Sequence, residues 1–203
     1  MSLEHLLLGL LREPASGYDL KKVLDERIRY FWAAELSQIY PTLNRLEKRG
    51  WARSRRAPSK RGSGRRLYEI TRAGRRTLRA WLSGAPQFGD ERYAYLAQLY
   101  LMDELRDPRQ TIRFLREVRE HVVAKLEALR RLDRAWAEAD PRYPDALPLQ
   151  ELHIQLTLRM GLLALEADVR WCDESLTRMR ARARARSTGG SRRTRPLRSE
   201  KTP

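Results

Sequence analysis

The apolar positions of the chain first describe four short helices and a hairpin. Leucines at 3, 6, 7, 10 and 11 form the inward stripe of a first helix opened by Ser2 and Leu3, and Pro14 stops it. Ser16 is placed to cap a second helix, and Asp19, three residues later, can return a bond to that cap. Leu20, Val23, Leu24 and Ile28 then face inward, with Lys21, Lys22, Arg27 and Arg29 outside. Phe31 and Trp32 are expected to plug the gap before the third helix, since aromatic rings bury a large apolar area. Ser37 is the expected cap of that helix, Ile39, Leu43 and Leu46 its buried stripe, and Gly50 its left-handed stop. Pro41 falls in its first turn, where a missing N–H is a smaller insult than at mid-helix. Two short strands follow, about 51–56 and 65–70, joined by the turn-rich stretch 57–64. Thr71 caps a fourth helix with Leu78, Trp81 and Leu82 inward and Gly84 at its end.

Beyond a junction at 85–90 the pattern lengthens. A helix over 91–105 is followed by one that restarts at Asp107-Pro108 and runs to about Ala139. Its apolar residues Ile112, Leu115, Val118, Val122, Leu126, Leu129, Leu132 and Trp136 advance by three or four, which suits a packed helix or a coiled seam. Prolines 141, 144 and 148 break it, and a last helix over 149–182 carries Leu152, Leu156, Leu163, Val169, Leu176 and Met179. At 1.5 Å per residue both long helices measure roughly 45–50 Å. Neither can hide its stripe inside one small monomer, so a homodimer through this half is expected. A self-sufficient monomeric bundle of the three helices is the alternative.

The polar side of the third helix changes the picture from fold to chemistry. At about 100° per residue, Gln38, Pro41, Asn44, Arg45 and Lys48 lie opposite the apolar stripe, with Thr42 and Arg49 on the flank. The following stretch holds Arg53, Arg55, Arg56, Lys60, Arg61, Arg65 and Arg66 and no carboxylate. A helix followed by a basic hairpin is the layout of a winged helix-turn-helix. Charge is also segregated: residues 1–86 carry 19 basic and 8 acidic side chains (net +11), 87–177 carry 13 and 17 (−4), and 178–203 carry 10 and 1 (+9). Positive ends around a mildly acidic middle suggest a nucleic-acid face and a separate protein-contact region. The tail from Ser187 has almost no apolar content and is expected to be disordered when free. It serves either as a tether to phosphate or as an ordinary solvated terminus.

Specific residues carry a resemblance. Pro14-Ala15-Ser16-Gly17-Tyr18-Asp19-Leu20, then Phe31-Trp32, then Leu36-Ser37-Gln38-Ile39-Tyr40-Pro41-Thr42-Leu43 with Arg45-Leu46-Glu47 and Gly50-Trp51 resemble the PadR-like family of bacterial transcriptional regulators. The match is close over about the first 85 residues and looser to about residue 182, where that family has a helical dimerisation region. The fold class expected is mainly α. It comprises a winged helix-turn-helix at 1–85 (three helices, a β-hairpin wing and a fourth helix), a long-helix dimerisation and effector-response region at 90–182, and a basic tail at 187–203.

The expected function is a sequence-specific, homodimeric regulator of double-stranded DNA, acting as a repressor. Ser37, Gln38, Pro41, Thr42, Arg45, Lys48 and Arg49 enter a major groove, with Gln38, Thr42 and Arg45 best placed to touch base edges. The resemblance also implies phosphate contacts from Tyr18 and Tyr40, although Tyr40 is only half outward and suits domain packing equally well. Lys60, Arg61 and Arg65 at the wing should meet backbone or minor groove, which positions without specifying. The family further implies a small aromatic or apolar effector, bound between domains or at the dimer interface, where Phe88, Tyr93, Tyr95, Tyr100, Trp136 and Trp171 supply aromatic surface.

Rival classes find less support in the residues. His5, His121 and His153 are isolated, His153 beside Glu151 is a solvated pair more readily than a metal site, and no glycine-rich loop follows a strand, so neither enzyme nor cofactor is expected. A nonspecific nucleic-acid-binding or RNA-binding protein is the remaining alternative. Cys172 is the single cysteine and Leu6–Leu11 is too short to span a bilayer, which points to the cytoplasm and away from a membrane.

Overall fold

The computed structural model describes residues 3–57, 65–89 and 92–190, with side chains as far as 185. Two compact units divide at residue 91, Met1–Glu91 and Arg92–Pro203. The first holds α1 (Leu3–Leu10), α2 (Gly17–Val23) continued by one wider π-type turn at Leu24–Ile28, α3 (Leu36–Lys48), β1 (Ala52–Ala57), β2 (Arg65–Ile70) and α4 (Arg72–Leu82). This is a winged helix-turn-helix, as the pattern predicts.

Its core is a set of leucines gathered from three helices. Leu7, Leu8 and Leu11 meet Leu20 and Leu24, and both groups close on Ile39, Leu43 and Leu46 of α3. Leu3, Leu6 and Leu10, expected inward, are only half-buried, while Leu8 takes a central place. Trp32 packs on this core but Phe31 stays exposed and meets Tyr30 edge-on, so only one of the two rings plugs the gap. Lys21, expected outside, lies folded between Asp25 and Glu35 at 2.7 and 3.1 Å.

Local bonds start α2 and fix the wing to the helices. Ser16 caps α2 by accepting from the Asp19 amide, while the Asp19 carboxylate accepts from the Ser16 amide at 2.9 Å. At the end of α3, Gly50 has φ 67° and the chain forms a Schellman turn: Gly50 N–H donates to the Glu47 carbonyl and Trp51 N–H to that of Leu46, each at 2.9 Å. The strands pair antiparallel from Ala52 opposite Ile70 to Ala57 opposite Arg65. Ala15 and Tyr68 then exchange backbone bonds of 2.9 and 2.8 Å, which sews β2 to the connection between α1 and α2. Tyr68 is buried there, and desolvation pushes its phenol above the usual range.

Thr71 caps α4 as expected, but Leu82 is exposed and the helix ends there, with Ser83 as the cap before Gly84. Leu78 is buried in the core and Trp81 packs against it.

The second unit contains α5 (Ala94–Tyr100), a 3-10 turn (Met102–Leu105), α6 (Pro108–Ala139) and α7 (Leu149–Gly190). The helix expected over 91–105 is therefore two shorter pieces. Asp107 caps α6 by accepting from the Arg109 amide at 2.9 Å. Leu115, Val122, Leu126 and Leu129 of α6 are buried, and the antiparallel α7 supplies Leu158, Leu162, Cys172 and Leu176. Arg119 to Asp173 at 2.6 Å and Arg130 to Glu166 at 3.2 Å tie the rims of the pair. In the connection, Arg142 doubly hydrogen-bonds Asp140 and holds its carboxyl down to about 2. Cys172 is buried among apolar neighbours, and its thiol is pushed up by desolvation, the setting of an unreactive cysteine.

α7 departs from the expected stripe. Leu156 and Leu163 face outward, and together with Leu149 and Met160 they make an exposed apolar row roughly opposite the Leu158–Leu162–Leu176 face. The helix also runs past Arg182 to Gly190, 42 residues and about 63 Å. The remainder of the basic tail, 191–203, lies outside the described residues.

Among the described glycines the closest approach is at Gly74, where an added Cβ would lie 2.1 Å from the Trp51 carbonyl oxygen. That carbonyl already accepts from the Thr71 amide at 2.9 Å and its hydroxyl at 3.1 Å, so it cannot retreat without breaking the α4 cap. Gly74→Ala should therefore destabilise the winged unit by about 1–3 kcal/mol, as overpacking does. A denaturant midpoint equal to the wild type's would show that this junction yields freely.

Candidate nucleic-acid interface

α3 starts two residues earlier than its sequence suggests. The N-cap is Glu35, in extended conformation, and the Gln38 side-chain oxygen accepts from the Glu35 amide at 3.0 Å. Ser37 is thus an exposed residue of the first turn rather than the cap. Pro41 lies inside the helix, in its second turn, and the bond it omits is to the Ser37 carbonyl; the Glu35 carbonyl is satisfied by the Gln38 and Ile39 amides at 2.8 and 3.0 Å.

The cap also alters what Gln38 offers. A bidentate contact with adenine needs both the amide oxygen and the NH2 group, and the oxygen is engaged in holding the helix start. Only the NH2 remains available without loosening the cap. Thr42 is the clear correction among the expected base contacts: its side chain is buried, at 1% exposure. Its hydroxyl donates to the Gln38 carbonyl at 2.7 Å and accepts from Arg45 Nη2 at 2.8 Å. At about 60° from Ile39 it sits on the edge of the apolar stripe, which is why it turns in.

Arg45, Lys48 and Arg49 are exposed on the outer side of α3 together with Asn44. The two arginines converge on Glu4 of α1, Arg45 Nε to one carboxylate oxygen at 3.1 Å and Arg49 Nη1 to the other at 2.8 Å. Arg49 also lies over the Trp51 ring at 5.0 Å. Tyr40 is half outward as its angle suggests; its ring rests on Gly17, where a Cβ would come within 2.6 Å of it. Tyr18 is exposed at the start of α2.

The wing's basic residues divide by partner. Arg65 reaches back to the α2 cap, donating to Asp19 and, at 3.2 Å, to the Ser16 hydroxyl. Burial opposes ionisation of Asp19, yet the Ser16 bonds and the Arg65 guanidinium hold its carboxyl below the usual range. Arg66 pairs with Glu47 and lies 5.0 Å over Tyr68, and Arg53 pairs with Glu69 across the strands. The Ser54 hydroxyl, followed by Arg66, depresses the Glu47 carboxyl. Arg55 and Arg56 on β1 and Lys48 on α3 are exposed and hold no ion pair among the described residues. No local pattern separates these from their clamped neighbours, because the clamping carboxylates lie up to 46 residues away. Lys60 and Arg61, expected at the wing tip, lie outside the described residues.

Within the second unit, the aromatic residues expected around an effector are not gathered into one site. Phe88 is 94% exposed, and Tyr93 and Tyr100 are exposed as well. Trp136 packs on Tyr143 and Trp171 on Tyr95. With α6 and α7 antiparallel, these tryptophans stand about 20 Å apart along the pair. A cleft of about 390 Å³ lies elsewhere in the second unit, lined by Leu99, Met102, Arg106, Met179 and Arg182 among others. Arg106 there has φ 52°, outside the range bulky residues usually adopt. Among the described residues no group of histidine, cysteine and carboxylate side chains could hold a metal, and no helix is long and apolar enough to cross a membrane.

Comparison with known proteins follows the same two-part division. Residues 6–80 match the Transcriptional regulator PadR-like family, and residues 91–180 match Virulence activator alpha C-term. The "Probable transcriptional regulator Rv1176c" of Mycobacterium tuberculosis is 27% identical over 197 residues, 86% of this chain and 95% of that one. The "Negative transcriptional regulator PadR" of Bacillus subtilis is 36% identical over 81 residues, 39% of this chain and 44% of that one. Its structure in complex with operator DNA superposes with a TM-score of 0.76 at 24% identity, covering 87% of this chain and 97% of the other, a likeness of fold. It has also been solved in complex with p-coumaric acid. The Vibrio cholerae virulence activator AphA covers 90% of this chain and all of its own at 28% identity and a TM-score of 0.68. The winged unit, matched over residues 6–80, is thus that of the PadR-like family of transcriptional regulators, and the helical unit, matched over residues 91–180, is similar to Virulence activator alpha C-term.

Proposed function

We propose that this regulator is a homodimeric repressor that reads operator DNA with α3 and releases it when a small organic acid binds. The observation that carries the DNA-reading part is the outward face of α3, where Arg45 stands held at its inner edge and open at its outer one. Three unclamped cations, Lys48 on α3 and Arg55 and Arg56 on β1, stand exposed on the same unit. Such an arrangement pairs a base-reading group with phosphate-binding neighbours. A purely nonspecific or RNA-binding protein needs the cations but not the ordered arginine.

The apolar row on α7 supports the dimer. Leu149, Leu156, Met160 and Leu163 recur at heptad-like steps on the side of α7 away from α6, so a symmetric second copy is the natural cover. Two reading heads joined in this way match half-sites about one duplex turn apart, ~34 Å, or a multiple of it. The cleft in the second unit supports an acid as effector. Its leucine and methionine walls suit an aromatic or aliphatic body, and neither Arg106 nor Arg182 holds an ion pair among the described residues.

Arg45→Ala should lower affinity for a selected operator roughly 10- to 100-fold while leaving binding to random duplex within a few-fold. Lys48→Ala should weaken both and reduce the slope of log K against log salt by ~0.9. Fluorescence anisotropy at several salt concentrations measures both, and an equal loss on the two duplexes for Arg45→Ala removes the reading role.

Met160, 67% exposed in the single chain, should tolerate Glu in the folded protomer but not in the dimer. Met160→Glu is expected to weaken self-association on the order of 100-fold with unchanged helix content, and operator affinity should fall with it. Sedimentation equilibrium decides, and a variant as dimeric as wild type would place the interface elsewhere.

For the effector, p-coumarate is the probe. It should bind and lower operator affinity, and Arg182→Gln should weaken its binding about tenfold through loss of a charge-assisted bond. Calorimetry that gives the same constant for variant and wild type would exclude this cleft.

A further inference from the structure

The contacts around Arg45 point past the arginine itself to the two residues that hold it. We propose that Glu4 and Thr42 are specificity-determining positioning residues: together they fix the Arg45 guanidinium so that its outer edge meets a base and is kept from wandering to phosphate. The inference rests on the reading of α3 as the DNA-reading helix.

A guanidinium has five N–H donors in one plane. Arg45 commits Nε–H to Glu4 at 3.1 Å and one Nη2–H to Thr42 at 2.8 Å. The two hydrogens on Nη1 and the second on Nη2 remain, and these are the end-on donors that guanine O6 and N7 accept. Neither holder is free to turn. The Thr42 hydroxyl hydrogen already goes to the Gln38 carbonyl at 2.7 Å, so only its lone pairs can face Arg45. Glu4 is anchored through its second oxygen by Arg49 at 2.8 Å, its side chain is only 19% exposed, and Arg49 in turn lies on the Trp51 ring.

Two consequences favour sequence reading. The side-chain freedom an arginine loses on binding is already lost in the folded protein, so the contact is preorganised. The single carboxylate between two guanidiniums also removes one unit of positive field where phosphates would otherwise compete for Arg45. Thr42 thus regains a place in recognition, one step behind the contact. Its burial and its value to recognition have the same cause.

The test uses the full chain and an operator selected from a random duplex pool by the wild-type protein. Glu4→Gln keeps the shape and removes the charge, and Thr42→Val keeps the shape and removes the hydroxyl. Each should reduce the operator-over-random affinity ratio five- to fifty-fold, with random-duplex binding equal to wild type or stronger for Glu4→Gln. Thr42→Ser, which keeps the oxygen, should hold the ratio within twofold. Adding Glu4→Gln to Arg45→Ala should reduce the ratio no further, because there is no longer a guanidinium to aim. Circular dichroism and a melt accompany each variant, and Glu4→Gln, which keeps the side chain's shape in a part-exposed ion pair, still answers the question should Thr42→Val unfold. If Arg45→Ala collapses the ratio while Glu4→Gln leaves it unchanged or raises it, the positioning role is overturned and the reading helix stands. If Arg45→Ala leaves the ratio intact, the reading of α3 itself has failed.

Discussion

The burial of one stripe of α3 under α1 and α2 is the constraint from which the rest of the reading head follows. Ile39, Leu43 and Leu46 are each fully buried against leucines of the two preceding helices, and a helix held along three such positions cannot roll. Its outward face is thereby decided for Asn44, Arg45, Lys48 and Arg49 together. The Schellman turn at Gly50 carries that orientation into β1, and the exchange of bonds between Ala15 and Tyr68 returns it to α2. The two wing strands and α3 are therefore parts of one surface, whose backbone positions are set without a ligand to organise them.

Much of this was legible because it depends on local periodicity. The α3 stripe, the Ser16 and Thr71 caps, the Gly50 stop and the strand pair all follow from residue types within a few positions of one another. What escaped depends on contacts far along the chain or on an angular margin. Ser37 looked like the cap because its hydroxyl is a common one, but Glu35 holds the position through Gln38. Thr42 lies on the flank of the polar face yet only about 60° from Ile39, a margin that residue type does not decide. The pairing of Arg45 and Arg49 with Glu4 spans more than forty residues, and no spacing rule announces it.

The second unit illustrates a different limit. An apolar stripe on α6 reads correctly because that helix has one partner and one buried face. α7 has leucines on two opposite sides, so periodicity alone assigned Leu156 and Leu163 to the same interior as Leu176. The structure separates the faces, with Leu158 and Leu162 turned to α6 and Leu156, Met160 and Leu163 turned away. A helix apolar on both sides lies between two partners, and here the single chain supplies only one of them. The aromatic residues misled for a related reason. Trp136 and Trp171 each satisfy a local ring contact, so their shared character carried no information about a common cavity.

Electrostatics sorts the basic residues of the reading head more finely than net charge does. Nineteen basic side chains in the first 86 residues would repel one another if left alone, and five arginines are instead held by Glu4, Asp19, Glu47 and Glu69. These exposed pairs add little to stability. Their effect lies in geometry: a paired arginine keeps its direction and loses part of its reach for phosphate, while Lys48, Arg55 and Arg56 retain both charge and freedom. Salt therefore acts unequally on the two classes, because counterion release scales with the phosphates that free cations neutralise. A hydrogen-bonded edge aimed at a base depends on fit. The carboxylates of a DNA-binding unit, which a charge count would score as liabilities, are what keep its general attraction to the duplex apart from its choice of sequence.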